Sequence, residues 1–218
     1  KINTVIIPIA GMGTRFLPIT KTISKEMLNI LDRPLLDYAV EEAKAAGIER
    51  FIFVTNKENT NPIKFFSKNK KLELFLKEKK KYSFLEKINK LNINKKNLKL
   101  IVQNRPLGLA SAILKAEKYL KGEDFSVILP DDLILGSNCT KELISIYEKK
   151  KANVIGIMKV NKADVSKYGI IESIFSSNSN YKIKSLIEKP NIKDAPTNLA
   201  IVGRYILCNN IFKYIKKI

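Results

Sequence analysis

Histidine and tryptophan are absent from these 218 residues, and cysteine occurs only at Cys139 and Cys208. Without imidazole there is no serine–histidine or cysteine–histidine nucleophile system and no usual zinc ligand set. Two cysteines far apart, with no CxxC pair, make a poor disulfide framework and read as reduced core residues. No apolar run approaches the roughly 20 residues that span a bilayer, and the start lacks the basic-then-apolar order of a signal peptide. A cytoplasmic location with no membrane partner is the expectation. Chemistry here must rest on carboxylates, lysine, arginine and bound metal.

Acidic residues are scarce too: 21 Asp and Glu stand against 40 Lys and Arg, a formal charge of +19. Clustered cations are the footprint of binding to a phosphate backbone, but the distribution argues against a dedicated patch. Residues 64–99 hold 13 lysines against three glutamates, about half of the excess. Phe65, Phe66, Leu72, Phe75, Leu76 and Leu85 are interleaved with them, the pattern of amphipathic helices with solvated faces. With 35 lysines but five arginines, 20 asparagines and 31 isoleucines, the bias runs along the whole chain. No nucleic-acid partner is expected, although such a charge attracts acidic phosphorylated substrates at long range.

What is present is enough to build one α/β domain over residues 1–218, since 45% of the chain is hydrophobic. Strand-like and helix-like segments alternate, as in a largely parallel sheet. Strands are expected at 4–10, 51–55, 98–103, 126–129, 152–160, 170–174, 183–188 and 200–207. Helices are expected at 34–46, stopped by Gly47, in the lysine-rich region, and at 110–120 and 141–151. Residues 176–180 read as a polar hairpin tip.

The first strand runs into Gly11-Met12-Gly13-Thr14-Arg15. Glycines there let backbone N–H groups approach an anion at the carboxyl edge of a sheet, and Arg15 adds a planar fork for phosphate oxygens. A lone GxG equally serves a tight strand-to-helix turn. The loop has neither the third glycine of a dinucleotide fingerprint nor the GK[ST] ending of a P-loop. Lys25, ten residues on, is a second cation for the same phosphates. Asp131 ends a strand, where a carboxylate can bind Mg²⁺ through oxygen. Asp132 is the competing candidate, and alternation points the two in opposite directions.

Taken together, AGMGTRFLPITKTISKEML resembles the signature of the sugar-nucleotide pyrophosphorylases, the nucleoside-diphosphate-sugar nucleotidyltransferases. VQNRPLGLASAI, VILPDDLIL, YGIIE, IEKP and NLAIVGRYIL follow in that family's order, so the resemblance covers essentially the whole chain. It implies a Rossmann-like three-layer α/β sandwich with a mostly parallel mixed sheet. The KEML variant and the NLAIVGRY run look most like the uridylyltransferase branch. That implies UTP and glucose 1-phosphate as substrates, Mg²⁺ as cofactor, and UDP-glucose and pyrophosphate as products.

The resemblance also implies roles. Arg15 would hold the leaving pyrophosphate and Lys25 would neutralise the α-phosphate. Ala10, Gly11, Gly13, Thr14, Glu26, Gln103 and Gly108 would hold the nucleotide, with the Gln103 amide on the base edge. Gly169 would lie near the sugar, Glu188 would accept from its hydroxyls, Lys189 would bind its phosphate, and Asp131 would bind the metal. A surface ion pair is the alternative to that role for Glu188 and Lys189.

Three departures bear on nucleotide specificity: Ala110 replaces a usual glycine, Leu107 a usual lysine, and Ser24 a frequent proline. Family members also usually continue past the NLAIVGRYIL strand into a segment that supplies a second metal-binding aspartate and much of an oligomer contact. The sequence given ends at Ile218, so weaker self-association than the family norm is expected. Alternatives are a thymidylyl- or cytidylyltransferase of the same fold, or a nucleotide-binding relic without turnover.

Overall fold

A computed structural model describes residues 1–57, 59–105, 107–177 and 180–217, without the side chains of residues 175–177. Its strands are β1 (Thr4–Ile9), β2 (Asn29–Ile30), β3 (Arg33–Pro34), β4 (Arg50–Thr55), β5 (Leu98–Val102), β6 (Phe125–Ile128), β7 (Val154–Lys159), β8 (Gly169–Ser177), β9 (Asn180–Glu188) and β10 (Leu199–Leu207). Its helices are α1 (Leu35–Ala45), α2 (Asn61–Phe65), α3 (Lys70–Glu78), α4 (Tyr82–Leu91), α5 (Gly108–Leu120), α6 (Cys139–Lys150) and α7 (Phe212–Ile215).

The sheet is mixed, in the order β5-β4-β1-β6-β10-β8-β9, with β7 also paired to β10. Strands β5, β4, β1 and β6 are parallel, so their carboxyl ends share one edge, where ligands bind in open α/β sheets. Strand β10 enters antiparallel beside β6 and is flanked by the β8–β9 hairpin. The sheet thus has a parallel half and an antiparallel half, joined at the β6–β10 pair.

Two-residue periodicity builds the three layers. On β1 and β4, Val5, Ile7, Ile9, Phe51 and Phe53 face the side covered by α1 and α6, where Leu36, Ala39, Val40, Leu143 and Ile144 meet them. Ile6, Ile52 and Val54 face the other side, against Ala112, Ile113, Ala116 and Leu120 of α5 and Phe212 of α7. Strands buried on both faces read as continuous apolar runs, which is why TVIIPI and FIFVT were visible as strands. Each fully buried Leu, Ile or Phe contributes about 1.5–3 kcal/mol.

Every expected strand and helix is present, with ends shifted by a few residues. Helix α5 starts at Gly108, whose φ of +85° admits it at the turn before the helix. Strand β8 runs on to Ser177, where it pairs with Asn180 of β9. The expected hairpin tip therefore falls on residues 178–179, outside the described residues. The lysine-rich region resolves into α2, α3 and α4. Phe66 and Leu76 turn inward, whereas Leu72 and Phe75 stay exposed, because α3 meets the body along the Leu76 side. Cys139 and Cys208 are free thiols and half-buried, packed against the margin of the core rather than within it. No described helix is long and apolar enough to cross a membrane.

Candidate active site

Three loops meet along the shared carboxyl edge. The first follows β1. Ala10 is buried at its start, and Gly13 has a φ of +62° and sits so close to Thr20 and Lys25 that a Cβ would lie 3.0 Å from Thr20 Cγ2 and 3.2 Å from Lys25 Cβ. Only glycine satisfies both the left-handed backbone and the space. Thr20 Oγ1 closes the loop by donating to the Gly13 carbonyl at 2.8 Å. Gly11 lies over the Lys25 stem, with its missing Cβ 3.4 Å from Lys25 Cε. Thr14 and Arg15 are exposed on a single 3₁₀ turn spanning Thr14–Phe16.

A further 3₁₀ turn, Lys25–Met27, carries the cation and its neighbour. Lys25 Nζ donates to Asp131 Oδ2 at 2.6 Å, joining the first loop to the turn after β6. The pair is accessible, at 22% exposure for the lysine side chain and 46% for the aspartate. Glu26 is the opposite, with 1% exposure, and its Oε2 has no hydrogen-bond partner among the described residues. Burial pushes its carboxyl up to about 7, against the lowering pull of its own backbone N–H and the Lys25 charge. Buried, under-satisfied carboxyls with perturbed titration concentrate at functional sites.

Gln103 ends β5, two strands from β1 and so about 10 Å to one side. It is buried; its backbone N–H donates to Thr55 at 2.7 Å and its Nε2 to Ser111 Oγ on α5 at 3.2 Å. Gly108, Leu107 and Ala110 lie exposed at the start of α5. On the other flank, Gly169 is paired with Glu188 across β8 and β9, and a Cβ there would come 3.1 Å from Glu188 Oε2. The room that the glycine leaves is taken by the Glu188 carboxylate. Glu188 and Lys189 are exposed, with Glu188 Oε1 and Lys189 Nζ 3.5 Å apart.

The structure thus brings Gly11, Gly13, Lys25 and Asp131 into direct contact, with Glu26 adjoining. Gln103 with Gly108 lies on one flank and Gly169 with Glu188 and Lys189 on the other. Tyr205 of β10 lies between the centre and the second flank, its phenol raised to about 12 by burial and by the Asp132 and Glu188 charges.

The two aspartates diverge, as expected, but on the turn after β6, which ends at Ile128, and not within the strand. Asp131 meets Lys25, while Asp132 Oδ2 accepts from the Gly203 N–H at 2.7 Å. Behind them lies a group that sequence reasoning missed. Arg204 is fully buried and donates through Nε and Nη2 to Glu42 at 2.8–3.0 Å and through Nη1 to the Leu129 carbonyl at 3.0 Å. Glu42 also accepts from the Thr140 hydroxyl at 2.6 Å, and these partners hold its carboxyl below the usual range despite burial. The only sequence signal was the GRY inside NLAIVGRYIL. Among the described residues no three Asp, Glu or Cys side chains gather around one point.

The nucleotidyl transferase family profile matches residues 4–218. A protein of Staphylococcus saprophyticus named UTP–glucose-1-phosphate uridylyltransferase 2 is 43% identical over 216 residues, covering 99% of this chain and 74% of that one. A Staphylococcus epidermidis protein named UTP–glucose-1-phosphate uridylyltransferase is 41% identical, over 99% and 75% of the two chains. Among solved structures, the UTP-bound UGPase of Acinetobacter baumannii superposes with a TM-score of 0.91 at 37% identity, covering 98% of this chain and 76% of its own. A UDP-glucose pyrophosphorylase complexed with UDP-glucose gives 0.86 at 39% identity, over 100% and 80%. With the family profile spanning the glycine loop, the Lys25–Asp131 pair and β10 alike, this chain belongs to the nucleotidyl transferase family.

Proposed function

We propose that this chain transfers a uridylyl group from UTP to glucose 1-phosphate, giving UDP-glucose and pyrophosphate. The observation that carries it is the Lys25–Asp131 pair, 2.6 Å apart beneath a glycine loop at the carboxyl edge of the sheet. A phosphate oxygen of glucose 1-phosphate attacks the α-phosphorus of UTP; a new P–O bond forms as the bond to the β-phosphate oxygen breaks, and pyrophosphate leaves. Such transfers ask the protein for positioning and for stabilisation of oxygen charge, and need no histidine.

Lys25 supplies positive charge to the α-phosphate, and Arg15 with the Gly11–Thr14 backbone holds the β- and γ-phosphates. Glu26 offers its free oxygen to nucleotide hydroxyl or N–H donors, and Gln103 faces the base from the β5 flank. From the β8–β9 flank, Glu188 accepts from the sugar hydroxyls and Lys189 binds the sugar's phosphate. Asp131 suits Mg²⁺, an oxygen-seeking ion that binds one or two carboxylates plus substrate phosphates and keeps several waters. When bound, the ion would draw charge from the phosphate oxygens. Lys25, accessible beside Asp131, is placed to meet the α-phosphate.

The second reading is a thymidylyl- or cytidylyltransferase, motivated by Leu107 and Ala110 at the exposed start of α5 beside Gln103. Pyrophosphate release from UTP, dTTP and CTP in parallel, with glucose 1-phosphate and Mg²⁺, separates the two. Turnover with UTP in excess of the others is expected; preference for dTTP or CTP would replace the assignment.

A further inference from the structure

We propose that Asp132 is a positioning residue: by accepting the Gly203 N–H, its carboxylate pins the turn after β6 to β10 and so sets Asp131 against Lys25. This rests on the reading of Lys25 and Asp131 as the phosphate and metal side chains.

The turn is held at both ends by consecutive residues of β10. Leu129 N–H donates to the Gly203 carbonyl at 2.8 Å and its own carbonyl accepts from Arg204 Nη1 at 3.0 Å. Asp132 N–H closes back on the Leu129 carbonyl at 3.3 Å, and Asp132 Oδ2 takes the Gly203 N–H at 2.7 Å. Asp131 is the residue between these anchors, so its direction follows from them. The approach is close enough to exclude any side chain at position 203: a Cβ there would lie 2.4 Å from Leu129 Cβ and 2.7 Å from Asp132 Oδ2. Glu42 anchors Arg204 from behind, so the turn is referred to α1 and β10 rather than left to its own stiffness. Residues that orient a metal ligand carry much of its affinity.

What the Gly203 N–H needs is an acceptor, and a neutral amide oxygen supplies one. A ligand to a divalent cation loses its charge on changing from carboxylate to amide, and the amide oxygen holds the ion more weakly. Asparagine at position 132 therefore separates the two roles.

The experiment titrates Mn²⁺ into the full chain with UTP, followed by electron paramagnetic resonance, for the unsubstituted protein, Asp132→Ala, Asp132→Asn and Asp131→Asn. The Mg²⁺ concentration for half-maximal UDP-glucose formation is measured alongside. Asp132→Ala should weaken Mn²⁺ about 10–100-fold, Asp132→Asn should restore affinity to within about threefold, and Asp131→Asn should abolish it. Equal loss in Asp132→Asn and Asp131→Asn would make Asp132 a ligand and overturn the inference, as would an Asp132→Ala protein that binds like the unsubstituted one. If Asp132→Ala does not fold, the asparagine variant alone decides. A failure of the underlying metal assignment shows separately, as absent UTP-dependent Mn²⁺ binding in the unsubstituted chain, and overturns both.

Discussion

Glu26→Gln should make the free protein more stable at pH 8 and not at pH 5. The side chain is 1% exposed and its Oε2 has no partner among the described residues, so its charge is costly in the folded state. Burial raises its carboxyl from 4.5 to about 7. A raised acid favours the neutral folded form, so the glutamate's contribution to stability worsens as pH rises from 4.5 and is fully unfavourable above about 7. A shift of that size, at about 1.4 kcal/mol per unit, amounts to on the order of 3 kcal/mol. Glutamine keeps the shape and drops the charge. For a chain of this size 1 kcal/mol moves the melting temperature by about 2–4 °C, so the variant should melt about 6–12 °C higher at pH 8. Thermal unfolding followed by circular dichroism at both pH values reads this directly. A variant equally or less stable at pH 8, or one stabilised alike at pH 5, would refute the reasoning. In exchange, calorimetry should show the variant binding UTP more weakly, because the costly carboxylate is the acceptor offered to the nucleotide.

Gly203→Ala forces a methyl group into Leu129 and Asp132; overpacking with loss of a charge-assisted hydrogen bond costs about 3–5 kcal/mol, and the melting temperature should fall by about 10 °C. An unchanged melting temperature would contradict the close approach. Arg204→Met leaves the Glu42 carboxylate buried without its main partner and should destabilise by about 3–5 kcal/mol. Adding Glu42→Gln should recover part of that loss in denaturant unfolding, and strict additivity of the two would count against a shared ion pair.

Much of this was legible before any coordinates. TVIIPI and FIFVT announce buried parallel strands because both faces are covered, and the glycine loop announces a close backbone approach because Gly13 takes a φ of +62°. The divergence of Asp131 and Asp132 was expected from strand alternation, but it arises on the turn beyond β6, through separate bonds to Lys25 and Gly203. Other features were hidden for a physical reason. Glu42 and Arg204 are 162 positions apart, and nothing in local periodicity pairs an exposed-looking glutamate on α1 with an arginine inside an apolar strand. The closeness of Gly169 to the Glu188 carboxylate was likewise hidden, because it comes from a cross-strand register between residues 19 positions apart. Leu72 and Phe75 fit an apolar helix face by spacing, yet spacing does not say how much of that face finds something to pack on.

The central claim is that Lys25, held by Asp131 at the sheet edge, carries the uridylyl transfer. It is tested most directly by measuring UDP-glucose and pyrophosphate formed from UTP, glucose 1-phosphate and Mg²⁺, with the unsubstituted chain beside Lys25→Ala. The account predicts turnover that falls about 10²–10³-fold in the variant, the loss typical of removing one donor to developing oxygen charge, with UTP still bound. Turnover unchanged in Lys25→Ala, or no UDP-glucose from an unsubstituted chain that binds UTP, would contradict it.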